Sequence, residues 1–294
     1  MTGASSHVAS VGDARYGAAN SRRLLIHTVR ALGPFRDGIT VIGAHAVHVW
    51  VEKAWGPTVM EATRDGDIVL DPVFVASDPK LLDLMAGAGL VPALEDRPGI
   101  YGFADETGLA WRQRTTVDLI VPEAYAGPGR RAARMLGQRH AASRAVGLEL
   151  AVWDKTLMPL ATIDEPAESV EVYVAGPAAL LVAKTHKVHE RLAGVLVRPD
   201  RLKPKDSGDV ALLMMVCDPE ETARIMVEAV AAHPEIRPVV SDAAAWMVEM
   251  YGGRECVVRR QAADALGSRF SEAEVDGVID GWLERFAPAA DGLL

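Results

Sequence analysis

The 294-residue sequence is poor in cysteine and in aromatic residues, and it contains no long apolar segment. Its two cysteines, Cys217 and Cys256, lack the close spacing of a zinc or redox motif, which predicts buried free thiols in a reducing compartment. No apolar run approaches the roughly 20 residues that a membrane-spanning helix requires. The first 20 residues lack the apolar core of a secretory signal. We therefore expect a cytoplasmic protein with no membrane partner.

Two common nucleotide-binding motifs are also missing. The sequence has neither the Gly-x-Gly-x-x-Gly turn of dinucleotide-binding domains nor the Gly-x-x-x-x-Gly-Lys-Ser/Thr loop of P-loop proteins. The formal net charge of −9 argues against a broad basic surface for nucleic acid, although a local basic groove is compatible with it. The hydrophobic fraction of 49% is sufficient for a packed core.

The stretch around residue 40 predicts a strand, a tight turn and a helix. Residues 39–42 form a β-branched apolar run, which is typical of a buried strand. Gly43 permits a sharp backbone turn, and the small Ala44 lets another group approach. Residues 44–54 then predict a helix whose free N-terminal N–H groups would attract an anion.

Three acidic residues in predicted strands are candidates for a metal site. Asp65 and Asp67 lie two positions apart, which puts both carboxylates on one face of a strand. Asp118 lies inside the apolar run of residues 115–121, where a charge usually needs a partner or a metal. If the two strands are neighbours, three carboxylates meet and could bind one or two Mg²⁺ ions together with a triphosphate. A polar turn is the alternative for the first two acids, because Asp-Gly is a common turn pair.

Taken in order, these residues resemble the nucleotidyltransferase superfamily. The shared pattern is Gly43 with a small residue after it, then Thr-x-Asp-x-Asp at residues 63–67 and a lone strand aspartate. More narrowly, the sequence is similar to the bacterial AbiEii/AbiGii-toxin-like branch, because a helix with a lysine precedes a Lys-Asp-x-x-Asp element at residues 205–209. The resemblance covers roughly residues 25–215. Ala44 departs from the glycine or serine that is usual in the family.

The resemblance implies a Mg²⁺-dependent enzyme that moves a nucleotidyl group from an NTP to an acceptor hydroxyl. RNA or tRNA is the implied acceptor, and an antitoxin is the implied protein partner. The implied catalytic residues are the three metal ligands and one lysine: Asp65, Asp67, Asp118 and Lys184. The implied nucleotide-binding residues are Gly43, Ala44, Thr63, Lys187, Asp206 and Asp209. A non-catalytic nucleotide- or protein-binding module on the same fold is the alternative.

The C-terminal lysines and aspartates also have a structural interpretation. Lys184 and Lys187 share one face of a helix predicted at residues 177–192. One of them could neutralise triphosphate charge or act as a base, but a solvated charged face is an equal alternative. Asp206 and Asp209 could complete the site, or they could complement the dipole at a helix N-terminus.

A basic segment interrupts this acidic chain. Residues 126–147 contain no acidic side chain, and their positive charge is concentrated between Arg130 and Arg144. The segment predicts either a solvated loop or a groove for a phosphate chain or an RNA acceptor strand.

The order of predicted elements indicates an α+β fold. We expect a nucleotidyltransferase-like mixed sheet with flanking helices in residues 21–174, after a loose tail in residues 1–20. The last strands of the sheet are predicted at residues 148–153 and 170–174. An all-α C-terminal domain follows in residues 175–294, with helices at residues 177–192, 219–232, 241–252 and after the capping box of Ser271 and Glu274. We expect no substantial strand beyond residue 180 and a cleft between the two halves.

Overall fold

The computed structural model describes residues 11–58, 63–75, 79–110, 113–134, 138, 140–164 and 168–294. These residues form a mixed eight-stranded sheet with flanking helices, followed by a C-terminal helical region, which confirms the predicted fold class. No helix in the described part of the chain is both long and apolar enough to cross a membrane.

The sheet combines parallel and antiparallel neighbours. Its strands are β1 (Ile39–Ile42), β2 (Asp65–Leu70), β3 (Leu90–Pro92), β4 (Ile100–Phe103), β5 (Thr116–Pro122), β6 (Ser143–Ala145), β7 (Lys155–Ala161) and β8 (Ser169–Ala175). The order is β3-β4-β5-β2-β1-β8-β7, and β6 pairs with β5 outside this path. β2 and β5 are parallel neighbours, whereas β1 and β2 are antiparallel. The two acidic strands are therefore adjacent at the centre of the sheet.

Helices in the first half fix which face of the sheet carries the acids. These helices are α1 (Val11–Ala31), α2 (Gly43–Trp55) and α3 (Leu81–Gly87). A Cβ atom on Gly66 would lie 3.0 Å from the Cβ of Leu25, so this glycine lets α1 pack closely on β2. Because side chains alternate along a strand, Asp65 and Asp67 point to the face opposite α1.

The second half of the chain is helical, as predicted. Its helices are α4 (Pro177–Ala193), α5 (Pro204–Val216), α6 (Pro219–Ala232), α7 (Arg237–Gly252), α8 (Val257–Leu266) and α9 (Glu272–Ala289). Residues 176–294, all of them described, contain no strand. The capping box is present, since the Ser271 hydroxyl accepts from the Glu274 amide and the Glu274 carboxylate accepts from the Ser271 amide.

Two local predictions were wrong. Residues 148–153 were predicted as a strand, but Glu149–Val152 form a 3-10 turn, and β7 begins only at Lys155. The turn is stable because its apolar side chains are buried and its Glu149 carboxylate accepts from the amides of Gly147 and Ala124. The predicted tail was too long, because α1 already begins at Val11, while residues 1–10 lie outside the described chain.

Candidate active site

The acidic residues of β2 and β5 lie side by side. In the parallel register of the two strands, Asp67 is paired with Asp118 and Asp65 with Thr116. Directly paired residues project to the same face of a sheet, and so do residues two apart on one strand. Asp65, Asp67 and Asp118 therefore share one face, as the sequence predicted.

The electrostatics of these carboxyl groups differ. Burial raises the pKa of Asp67 to about 6, and the charge of Asp65 adds to this shift. Burial and the charges of Asp67 and Asp65 raise the pKa of Asp118 well above its ordinary value. Around Asp65, burial opposes ionisation, but the hydrogen bond from Thr63 and the charge of Lys187 outweigh it and lower the pKa. The site thus holds one readily ionised acid and two that resist ionisation.

Lying on one face of the sheet does not by itself bring the three carboxylates close enough to bind one metal ion. Within the described ranges, no three His, Cys, Asp or Glu side chains converge closely enough to hold a metal ion. The predicted convergence of three carboxylates on one metal is therefore not seen in this arrangement. The donor set is still the hard oxygen chemistry that Mg²⁺ prefers, and Mg²⁺ is usually held by one or two carboxylates plus substrate phosphates. Asp67 and Asp118 suit that smaller role.

The turn into α2 brings backbone close to the acids. Gly43 has a φ of +70°, and a Cβ atom there would lie 3.0 Å from Cγ of Asp67 and closer still to Oδ2. Only glycine permits both the dihedral angle and the contact. The N-cap residue Ile42 has no side-chain oxygen for the first-turn N–H groups of α2. Ala44 is half-buried and does not line the adjacent cavity.

Two lysines of α4 line the same cavity as Asp67. The cavity has a volume of about 580 Å³, and Gly43, Asp67, Lys184 and Lys187 all contribute to its wall. The predicted cleft between the sheet and the C-terminal helices is present here. Its volume is large enough for a ligand the size of a nucleotide.

Asp206 and Asp209 hold the lysines instead of facing the cavity. The Lys184 ammonium is buried and forms an ion pair with Asp209, and it lies 3.9 Å from Oδ1 of Asp206. Lys187 Nζ is 3.2 Å from Oδ1 of Asp206, whose other oxygen pairs with Arg191. Both aspartates are buried and neither lines the cavity, so direct nucleotide contact is not supported for them. They join α5 to α4 and fix the positions of both cations.

Lys187 is the more accessible of the two lysines. Its side chain is 44% exposed, whereas that of Lys184 is 7% exposed. Burial of the ammonium and the charge of Lys184 lower the pKa of Lys187 to about 8, and the charge of Asp67 opposes this shift. The sequence favoured Lys184 as the catalytic cation, but its charge is already balanced by Asp209.

Thr63 forms hydrogen bonds with Asp65 and with helix α1. Its hydroxyl donates to Oδ1 of Asp65 at 2.6 Å, and its carbonyl accepts from the Ser21 hydroxyl at 3.2 Å. Ser21 also lies 2.8 Å from Nε2 of His45, whose Nδ1 accepts from Nε of Arg22 at 2.9 Å. His45 is buried, and burial with the charge of Arg22 lowers its pKa well below the ordinary value. It is a neutral structural residue that links α1 and α2 to the loop before β2.

One residue of the cavity wall, Trp246, was not predicted from the sequence. Trp246 of α7 lines the cavity, and its indole stacks on the His189 imidazole with centroids 3.6 Å apart. Arg144 also lines the cavity and pairs with both carboxylate oxygens of Glu123 at 2.6 Å. No local pattern marks Trp246, because it lies more than a hundred residues from the acidic strands and is brought in by helix packing alone.

The basic segment contributes to a second cavity. Arg130, Arg131 and His140 line a space of about 550 Å³ together with Asp96. Both arginines are exposed, whereas Arg144 is committed to Glu123. Arg139, also part of the predicted patch, lies outside the described residues.

The chain was compared with protein-family models, with curated proteins and with solved structures. None of the three comparisons found a match.

Proposed function

We propose that the protein is a Mg²⁺-dependent nucleotidyltransferase. The observation that carries the proposal is the in-register pairing of Asp67 and Asp118 on central parallel strands, with Asp67 and Lys187 both on the wall of one cavity. Gly43 adds a backbone turn and a helix N-terminus at the same place. Paired carboxylates, an uncapped helix start and a cation form a set suited to a metal-bound triphosphate.

The metal would be held by Asp67 and Asp118, with Asp65 beside them. When bound, Mg²⁺ supplies charge neutralisation at the phosphate oxygens during in-line displacement. The raised pKa values of Asp67 and Asp118 support this assignment, because carboxyl groups that repel each other gain most from a cation.

The protein's own groups would perform the remaining steps. The acceptor hydroxyl oxygen bonds to the α-phosphorus, the bond from that phosphorus to the pyrophosphate oxygen breaks, and Asp118 takes the hydroxyl proton. Asp118 is paired in register with Asp67, which places its carboxylate beside the proposed metal ligand to receive this proton. Lys187, more accessible than Lys184, stabilises the departing pyrophosphate.

The acceptor and the partners follow from the resemblance to the AbiEii/AbiGii-toxin-like branch. We propose an RNA or tRNA hydroxyl as the acceptor and an antitoxin protein as the regulator, in the cytoplasm. The exposed Arg130 and Arg131 support an RNA acceptor, because clustered arginines on one surface suit a phosphate chain.

Label transfer tests this function. The protein is incubated with each α-labelled NTP, Mg²⁺ and total RNA, and labelled RNA is expected only with active protein. Asp67→Asn keeps the size of the side chain but removes a metal contact, and a loss of roughly 4 kcal/mol slows transfer about a thousandfold. Asp37→Asn, which changes an acid that does not line the cavity, is the matched control and should transfer at the wild-type rate.

The same assay distinguishes the proposed enzyme from the alternative, a non-catalytic nucleotide-binding module. If wild-type protein labels no acceptor, yet Mg²⁺ with an NTP raises its melting temperature, the protein is a nucleotide-binding module. Equal transfer by wild type and Asp67→Asn contradicts the proposed mechanism.

A further inference from the structure

The wall of the cavity combines two chemically different sets of residues. The polar set includes Gly43, Asp67, Lys184 and Lys187. The mostly apolar set is formed by Ile120, Val146, Leu148, Leu180, Ala183 and Trp246. A ligand that contacts both sets needs an anionic part for the lysines and an apolar part for the other residues.

The cavity wall includes an aromatic pair that is held in a fixed orientation. The stacked Trp246 indole and His189 imidazole are nearly parallel, with an interplanar angle of 8°. The His186 ring meets the indole edge-on at 4.9 Å, and Nε2 of His186 lies 2.8 Å from the Val239 carbonyl oxygen. Since Val239 belongs to α7 and both histidines to α4, these contacts lock the indole between the two helices.

Two of the charged residues on the cavity wall already have partners. Glu190 is the one carboxylate besides Asp67 on the described cavity wall, and it pairs with Arg201 at 3.1 Å. The guanidinium of Arg144 is likewise occupied by Glu123. A neutral, flat group suits such a surface, because stacking on aromatic rings requires a π-face and no opposite charge.

We propose that the Trp246–His189 pair is the base-binding subsite of the cavity and takes the purine or pyrimidine ring of the NTP. The inference rests on the proposed function, which places the triphosphate beside Asp67 and Lys187. The volume of about 580 Å³ accommodates both parts in one ligand. Stacking tolerates every base, so the subsite gives affinity with only a modest preference for the larger purines.

Binding of two probes tests the subsite. Mg²⁺-ATP carries a base, whereas Mg²⁺-tripolyphosphate has the same phosphate chain without base or sugar. Wild-type protein should bind ATP more tightly, and Trp246→Ala should weaken ATP binding about tenfold while leaving tripolyphosphate binding unchanged. Trp55→Ala, which changes a half-exposed tryptophan away from the cavity, is the control and should alter neither constant.

A second variant keeps the test decisive if Trp246→Ala fails to fold. His189→Leu retains an apolar side chain on α4 but removes the ring that stacks on the indole, and it should also weaken ATP binding selectively. The base subsite is overturned if the variants bind both probes equally more weakly, or if wild-type protein binds ATP no more tightly than tripolyphosphate. Either result leaves the proposed phosphate site in place. If wild-type protein binds neither probe, the proposed function fails and the subsite fails with it.

Discussion

The carboxyl group of Asp67 lies against the backbone of Gly43, so closely that no other residue fits at position 43 without displacing it. This contact joins the acidic strand β2 to the start of α2. It places the proposed metal ligand beside the N–H groups that would receive a phosphate. One glycine thus couples the two halves of the proposed binding site.

Replacing this glycine should disturb both fold and binding. Gly43→Ala introduces a left-handed backbone strain of about 1–2 kcal/mol and a clash with Asp67, so the free energy of unfolding should fall by roughly 2–4 kcal/mol. Urea denaturation measures the change. Gly33→Ala, whose Cβ would meet no atom within 4 Å, is the control and should be neutral or slightly stabilising. Equal stability of Gly43→Ala and wild type would contradict the contact.

The raised pKa of Asp67 predicts a pH-dependent effect of Asp67→Asn. In the folded protein Asp67 keeps its proton up to about pH 6, whereas its ordinary pKa is 3.8. The free energy of unfolding of the wild type therefore falls relative to that of the variant as the pH rises from about 3.8 to about 6. At pH 7 and without Mg²⁺ the variant should be more stable, by at most about 3 kcal/mol. At pH 3.5 the two proteins should unfold alike.

Thermal and urea unfolding at pH 3.5 and pH 7 provide the comparison. Adding Mg²⁺ should stabilise the wild type more than the variant, because the metal offsets the repulsion. If the stability of Asp67→Asn relative to wild type falls between pH 3.5 and pH 7, the ionised form of Asp67 is stabilised in the folded protein. That result would contradict the raised pKa.

The buried ion pair of Lys184 and Asp209 should make Lys184→Ala strongly destabilising. The variant leaves Asp209 buried without its cation, which costs about 3–5 kcal/mol. The double variant Lys184→Met with Asp209→Leu removes both charges and should recover most of the loss. Lys187→Ala, at a half-exposed side chain whose partner Asp206 keeps its pairing with Arg191, should cost less than about 1 kcal/mol.

Chemical denaturation of the three variants and wild type compares their free energies of unfolding. If Lys184→Ala unfolds at the wild-type denaturant concentration, the pair is not structural. A normal stability with lost activity would return Lys184 to the catalytic role that the sequence favoured.

The second cavity predicts a salt-dependent RNA interaction. The double variant Arg130→Ala with Arg131→Ala should weaken RNA binding uniformly across sequences and reduce the slope of log K against log salt by about 0.7 per lost phosphate contact. Filter binding at several salt concentrations measures the slope. The control is Arg254→Ala with Arg285→Ala, which removes two exposed arginines from the C-terminal helical region. The same slope in both double variants would exclude the second cavity as an RNA site.

Local sequence determined the elements and the face that each acid occupies. The helix predicted at residues 219–232 and the helix predicted after the capping box at Ser271 begin where expected, because helix-start signals act within one turn. The two-residue spacing of Asp65 and Asp67 fixed their common face, since strand side chains alternate. These signals need only neighbouring residues, so they can be derived without the fold.

Only the tertiary structure determined which of these residues are in contact with one another. The strand order puts Asp118 opposite Asp67, and helix packing commits Asp206 and Asp209 to the α4 cations and brings Trp246 to the cavity. Each contact joins segments far apart in the chain, and no local pattern encodes which segments meet. Their arrangement follows from burying the whole apolar surface at once, which is the term that dominates folding.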